Sequence, residues 1–186
     1  MKRILLIGLL VILLPGCAKS SALIDRVMLF RAELLQSDGC TFTADVTADY
    51  SQHIFTFKMR CKSDKDGSVT FEVISPESIA GITGILDADG GKLTFDDHAL
   101  LFSVLADGRL SPVSAPWVMM RALRSGYIKG CSETRDSLSI HIDDSYHQDA
   151  MQVIIQSNSE CRPTSAEIYY RGSRILTIVV EDFSIL

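Results

Sequence analysis

The sequence predicts a mainly β fold of the α+β class, antiparallel, with one helix ahead of the strands and a second in mid-chain. Three observations carry that prediction. Apolar spacing changes from a 3/4 helical period to alternation near residue 38, and alternating runs dominate from there on. Turn-forming pairs (Asp66-Gly67, Gly90-Gly91, Gly172-Ser173) separate those runs at hairpin spacing. At 186 residues, 47 % apolar and 22 % charged, the chain has the size and composition of one folded domain, without repeats or low-complexity stretches.

The first residues read as something other than that domain. Lys2 and Arg3 precede an apolar run over residues 4–14. A permanent membrane span needs about 20 apolar residues, so this run reads as an export signal. It ends in Leu14-Pro15-Gly16-Cys17, which resembles the lipobox of bacterial lipoproteins. The resemblance implies cleavage before Cys17 and a diacylglyceryl group on its thiol. The expected organisation is a signal peptide over 1–16, a lipidated tether over 17–21 and a single domain over 22–186. Two acyl chains, at about 0.8 kcal/mol per buried CH₂, anchor stably where one is marginal. The expected partner is therefore a membrane, through the diacylglyceryl anchor. The expected location is the extracytoplasmic face of the cell membrane, or the outer membrane where the host has one. Loss of Lys2 and Arg3 would take the net charge from −5 to −7. A body this acidic has no basic footprint for phosphates, so nucleic acid is not expected as a partner.

Within the domain, Leu23, Val27, Phe30 and Leu34 form the stripe of an amphipathic helix over residues 22–37, with Asp25, Arg26, Arg31 and Glu33 largely on its other side. Cys40, Phe42, Ala44, Val46 and Ala48 then alternate with polar residues, as do Phe55, Phe57, Met59 and Cys61. A turn at Tyr50-Ser51 would set Val46 opposite Phe55, Phe42 opposite Met59 and Cys40 opposite Cys61. Val69-Phe71-Val73 gives a third strand, closed by Ser75-Pro76 and one helical turn near 77–80. Residues 81–86 and 92–95 flank another hairpin, and 98–104 is either a further short strand or the start of an irregular segment. Ser114, Ala115 and Pro116 suit the start of an apolar helix over 117–125, ended by Gly126. Leu138-Ile140-Ile142, Met151-Val153-Ile155, Ala166-Ile168-Tyr170 and residues 175–180 read as four more strands, the first two pairing Ile140 with Val153, and Gly172-Ser173 as a tight turn.

This order, with Phe71-Glu72-Val73-Ile74-Ser75-Pro76, Gly90-Gly91-Lys92-Leu93-Thr94-Phe95 and Ala166-Glu167-Ile168-Tyr169-Tyr170, resembles the periplasmic carriers and receptors of the Lol system, the LolA/LolB-like lipoprotein localisation factors. It also resembles a mycobacterial lipid-carrying lipoprotein and a regulator of envelope stress. The resemblance implies a strongly curled, incompletely closed antiparallel half-barrel whose helices cover the concave face, with an apolar cavity between.

Four cysteines follow Cys17: Cys40, Cys61, Cys131 and Cys161. An even number in an exported chain suggests disulfides. Cys40 and Cys61 oppose each other in the register above, while Cys131 and Cys161 fall near one end of the 138–155 hairpin, one residue out of step. No G-x-S-x-G, S-x-x-K, H-E-x-x-H or Walker loop is present, so no enzyme activity and no cofactor are expected. His141, Asp143, Asp144 and His147, with Asp96, Asp97 and His98, match no metal-ligand spacing and suit wet turns, so no metal is expected. In the mid-chain helix, Trp117, Val118, Met119, Met120, Ala122 and Leu123 leave Arg121 and Arg124 as the only charges. Such a helix either plugs the curled sheet or lids an apolar cavity, where adaptable methionines suit an acyl chain. In the second case Trp117 and Met120 face Phe42, Phe55, Phe57 and Phe71.

Two functions follow. One is a membrane-anchored lipoprotein, not an enzyme, holding a lipid or acyl chain between sheet and helix. The other is an interaction protein with a filled cavity, docking onto another envelope protein such as a cell-wall enzyme or signalling regulator. The anchor is common to both. Replacing Cys17→Ser is expected to abolish metabolic labelling by a fatty acid and to release the protein from the membrane fraction; unchanged fractionation with an unlabelled wild type refutes the anchor.

Overall fold

The structure, a computed structural model, describes residues 16–96, 98–106, 109–135, 137–144 and 151–186. Helix α1 (Gly16–Gln36) begins before the residue 22 expected from its stripe, so the backbone of residues 18–21 is helical too. Its inner face buries Val27, Phe30 and Leu34, as the 3/4 spacing requires. Arg31, expected on the solvent side, is instead partly buried.

Six strands follow in meander: β1 (Gly39–Asp49), β2 (Ile54–Asp64), β3 (Val69–Ser75), β4 (Thr83–Asp87), β5 (Gly90–Phe95) and β6 (His98–Phe102). A two-rung ladder, β7 (Leu105–Ala106) with β8 (Arg109–Leu110), and a 3-10 turn (Pro112–Ser114) lead into α2 (Ala115–Ser125). The chain ends in β9 (Tyr127–Glu133), β10 (Leu138–Asp143), β11 (Gln152–Ser157), β12 (Pro163–Tyr170) and β13 (Ser173–Ile185). Eleven strands form one antiparallel sheet in the order β6-β5-β4-β3-β2-β1-β13-β12-β11-β10-β9. The last strand thus joins two meanders by pairing β1 on one side and β12 on the other. Between β6 and β9 the sheet stays open, a curled half-barrel with α2 on its inner face.

The faces of the strands are as the alternation predicts; two registers are not. Val46 lies opposite Phe57 and Phe42 opposite Cys61, a shift of two from the expected pairing. The connection is longer than a two-residue turn: Tyr50 and His53 close it by a backbone hydrogen bond, and Ser51 takes a left-handed conformation with its N–H bound to the Asp49 carboxylate. In the β10–β11 hairpin Ile140 lies opposite Ile155, again two residues from the expected Val153. A shift of two returns every side chain to the same face, so alternation cannot detect it. The last hairpin turns on Arg171-Gly172, both at positive φ, because Tyr170 pairs with Ser173. Strand β9 had no counterpart in the sequence reading: Tyr-Ile-Lys-Gly-Cys-Ser-Glu lacks the alternation that would mark it.

The core gathers the inner faces of β1–β3 and β10–β13 with α1 and α2. Eight of the eleven residues of α2 are buried, Met119 and Met120 completely. Truncating Met120→Ala is expected to cost about 2–5 kcal/mol of stability, because the surroundings of a fully buried side chain relax only in part. Urea denaturation measures it, and a loss well under 1 kcal/mol would contradict tight packing beneath α2.

Candidate functional site

The inner face can be followed across the sheet by cross-strand pairing. Phe42, Cys61, Phe71, Gly84, Leu93 and Leu100 stand directly opposite one another from β1 to β6. Paired residues of an antiparallel sheet share a face, so these six form one continuous row. Exposure rises along it, from 2 % at Phe42 and 4 % at Phe71 to 63 % at Leu100. The row enters the packed core at one end and leaves it uncovered at the other. Glycines make room for rings on this face: a Cβ at Gly84 would stand 2.5 Å from the ring of Phe71, and one at Gly91 2.2 Å from that of Phe102.

What covers the inner end is α2, which packs on β2 and on β10–β13. Its C-terminal carbonyls are held by α1. Arg31 donates from Nε to the Leu123 carbonyl (2.6 Å) and from Nη2 to those of Gly126 (2.9 Å) and Ala122 (3.2 Å). A guanidinium suits the negative end of a helix dipole and its unsatisfied carbonyls. Arg124, in the last turn of α2, donates to the carbonyls of Lys65 and Leu34. Upstream of α2, the Tyr50 hydroxyl donates to the Leu110 carbonyl and ties the incoming segment to the β1–β2 hairpin.

Beside that tie opens a cleft of about 530 Å³ lined by Tyr50, His53, Phe55, Phe102, Leu110 and Pro112. Phe55 is half exposed, with Tyr50 set edge-on to its ring and His53 stacked on it. The cleft has the size of a small-molecule site and an aromatic, aliphatic lining with few polar groups. A larger trough of about 840 Å³ has Thr41, Thr43, Arg60, Lys62, Thr70 and Glu72 along it. Those are the outward-pointing positions of β1–β3, and Arg60 is already paired with Glu72 at 2.8 Å. Hydroxyls and paired charges do not suit an apolar ligand.

Of the six residues expected to line a cavity, the structure buries five (Phe42, Phe57, Phe71, Trp117 and Met120) in one packed cluster. Only Phe55 reaches the open cleft. Tyr50, Phe102 and Leu110 were not foreseen there. β6, His-Ala-Leu-Leu-Phe, has no alternation that would mark an inner wall, and nothing local marks Leu110, which arrives with the segment leading into α2.

The four body cysteines are unbridged thiols in the structure. The register shift sets Cys40 opposite Ser63, so Cys61 is its diagonal neighbour on the same face, not its direct partner. Burial pushes the Cys40 thiol up to about 12, offset in part by the Arg124 charge. The Cys61 thiol is raised further by burial and then by Cys40, and those of Cys131 and Cys161 are raised mainly by burial. Arg26 bonds Glu133 at 2.7 Å and the Ser159 carbonyl at 2.9 Å, beside Cys161. Among the described residues no three His, Cys, Asp or Glu side chains converge as metal ligands. Asp97 and His147 lie outside the described residues. The side chain of Cys17 is not described either, and no helix among the described residues is long and apolar enough to cross a membrane.

No family model matches the chain, and no curated protein does. Solved structures do. A LolA superfamily protein of Nitrosomonas europaea is similar over 90 % of this chain and 93 % of its own, at 9 % identity and a TM-score of 0.46. A putative outer membrane lipoprotein-sorting protein domain of Vibrio parahaemolyticus is similar over 86 % and 90 %, at 11 % identity and 0.48. The lipoprotein LppX of Mycobacterium tuberculosis is similar over 88 % and 95 %, at 11 % identity and 0.44.

The raised thiol gives a direct check on the packing around Cys40. An acid shifted upward is less ionised at a given pH. At pH 8 a thiol at about 12 holds about one thiolate in 10⁴, against about one in ten for an ordinary thiol at 9.0. In folded protein kept reduced, alkylation of Cys40 by iodoacetamide at pH 8 is expected to run about 10³ times slower than in an unfolded peptide. Peptide mapping over time measures it, and alkylation at the peptide's rate contradicts the burial.

Proposed function

We propose that this protein is a membrane-anchored lipoprotein of the cell envelope that does no chemistry and binds an apolar ligand, a lipid or acyl chain. It does so on the uncovered wing of its inner sheet face, where the cleft opens between the β1–β2 hairpin and the segment entering α2. The observation that carries this reading is the row from Phe42 to Leu100. One continuous apolar face runs from packed core to open surface, so a ligand laid on the wing extends a core that already exists. Burial of an apolar chain against Phe55, Phe102 and Leu100 removes hydrocarbon from water at about 25 cal/mol per Å². Export supports a further proposal, that Cys40 with Cys61 and Cys131 with Cys161 become disulfides in the oxidising envelope. In support of the first pair, Cys40 and Cys61 are diagonal neighbours on the same face of β1 and β2.

A second reading keeps the anchor and replaces the ligand by an envelope protein. The burial of Phe57 and Phe71 together with Trp117 and Met120 of α2, all at 6 % exposure or less, favours it, since these side chains are already packed in the core. Binding of a fluorescent fatty acid separates the two. The wild type is expected to bind cis-parinaric acid, and Phe55→Asp to weaken binding at least about tenfold, or 1.4 kcal/mol. The thermal transition of that variant should move by only a few degrees, because Phe55 is half exposed. A wild type that binds no probe overturns the ligand reading and leaves the docking one.

A further inference from the structure

Helix α1 is apolar on two sides. Its inner face buries Val27, Phe30 and Leu34, and Arg26 and Arg31 flank that face, engaged with Glu133, the Ser159 carbonyl and the end of α2. The opposite face presents Ala22, Asp25, Met28, Leu29, Ala32 and Leu35, with the polar Gln36 at its C-terminal end, all exposed, Leu29 at 72 %. Steps of three and four residues place these six on one side of the helix. A surface helix ordinarily turns a charged face to water. Here the outward stripe carries Asp25 as its single charge, with Glu33 at its margin.

The position of this stripe in the chain says what covers it. Among the described residues the helix runs from Gly16, so the backbone of Cys17 lies on it. From Cys17 to Ala22 the helical rise is about 7.5 Å, and to Leu29 about 18 Å. No slack separates the residue that would bear the acyl chains from the exposed stripe. A helix anchored at one end at headgroup level either stands off the bilayer, with Met28, Leu29 and Leu35 in water, or lies along it. Only the second arrangement removes those side chains from water, and interfacial helices bury their apolar face about 5–10 Å into the headgroup–acyl boundary. At that depth the Asp25 carboxylate remains among the headgroups.

We propose that α1 lies flat on the membrane that holds the anchor, with Met28, Leu29 and Leu35 in the lipid interface, so that anchor and helix form one contact and set the orientation of the body. This rests on the lipoprotein reading of Cys17. The test uses the full chain in its lipidated form, reconstituted into phosphatidylcholine–phosphatidylglycerol vesicles with brominated acyl chains. Leu29→Trp places a reporter on the stripe, and Gln52→Trp places one on the exposed β1–β2 turn, at the far end of β1 from α1. The single native tryptophan, Trp117, is buried and gives a common background. The expected result is loss of most of the added emission, with a blue shift, for Leu29→Trp, and no loss beyond background for Gln52→Trp. Equal quenching of both reporters, or none at Leu29→Trp on protein that floats with the vesicles, overturns the flat-lying helix. Mass spectrometry of the N-terminal peptide reads the underlying premise separately: an unmodified Cys17 overturns the anchor itself, whatever the reporters show.

Discussion

A sheet of eleven strands spaced about 4.8 Å apart is about 50 Å wide, whereas a helix with its side chains is about 10–12 Å across. That mismatch governs this molecule. One apolar helix cannot cover one apolar face of such a sheet, so the sheet curls around it and brings β10–β13 and β2 onto α2. Curling still leaves an excess. The inner face of β4–β6 lies beyond the helix, and the gradient of exposure toward Leu100 follows from that geometry. The candidate site is the part of a core that the described residues leave uncovered.

The helix itself is held by contacts to backbone carbonyls. Arg31 and Arg124 engage the C-terminal end of α2 and its surroundings, and Tyr50 fixes the segment that enters it. Such bonds set position without filling space, and charged donors make each worth about 1.5–3 kcal/mol. The buried face of α2 supplies apolar burial, which is strong but indifferent to small sliding movements. Direction and depth come from the polar ties, and the Tyr50 tie also forms one wall of the cleft. Occupancy of the cleft and the seating of α2 are thereby adjacent in space.

Much of the architecture was legible in the chain, because alternation reports which face a residue takes. The inner positions of β1–β3 and β10–β12 were read correctly, as was the apolar helix ended by Gly126. Register was not legible, since it depends on how many residues a connection uses: the Asp49–Ser51 turn and the 144–151 connection each displaced their hairpins by two. Strand β9 escaped because its place at an edge under α1 leaves little need for alternating apolar residues. Arg31 looked like a solvent-facing residue, and only the carbonyls at the end of α2, more than ninety positions later, give it partners. Of the residues that line the cleft, the sequence had marked Phe55 alone. The aromatics of β1–β3 do face inward, but most of them fill the core, and the open wall comes from Phe55 and from the β6 end of the row.

The place of β13 in the sheet bears on how such a chain reaches its folded form. Residues 173–185 sit between β1 and β12, so the final strand is the one that unites the two halves of the sheet. Neither half has its full complement of backbone partners until that segment arrives, and the β1–β13 pairing spans almost the whole chain in sequence. Contacts of such separation form late and slowly. A chain that leaves a translocation channel N-terminus first would therefore stay incompletely folded until its last dozen residues emerge. In such a passage the delay would keep the chain threadable and would postpone closure of the sheet until transit is complete.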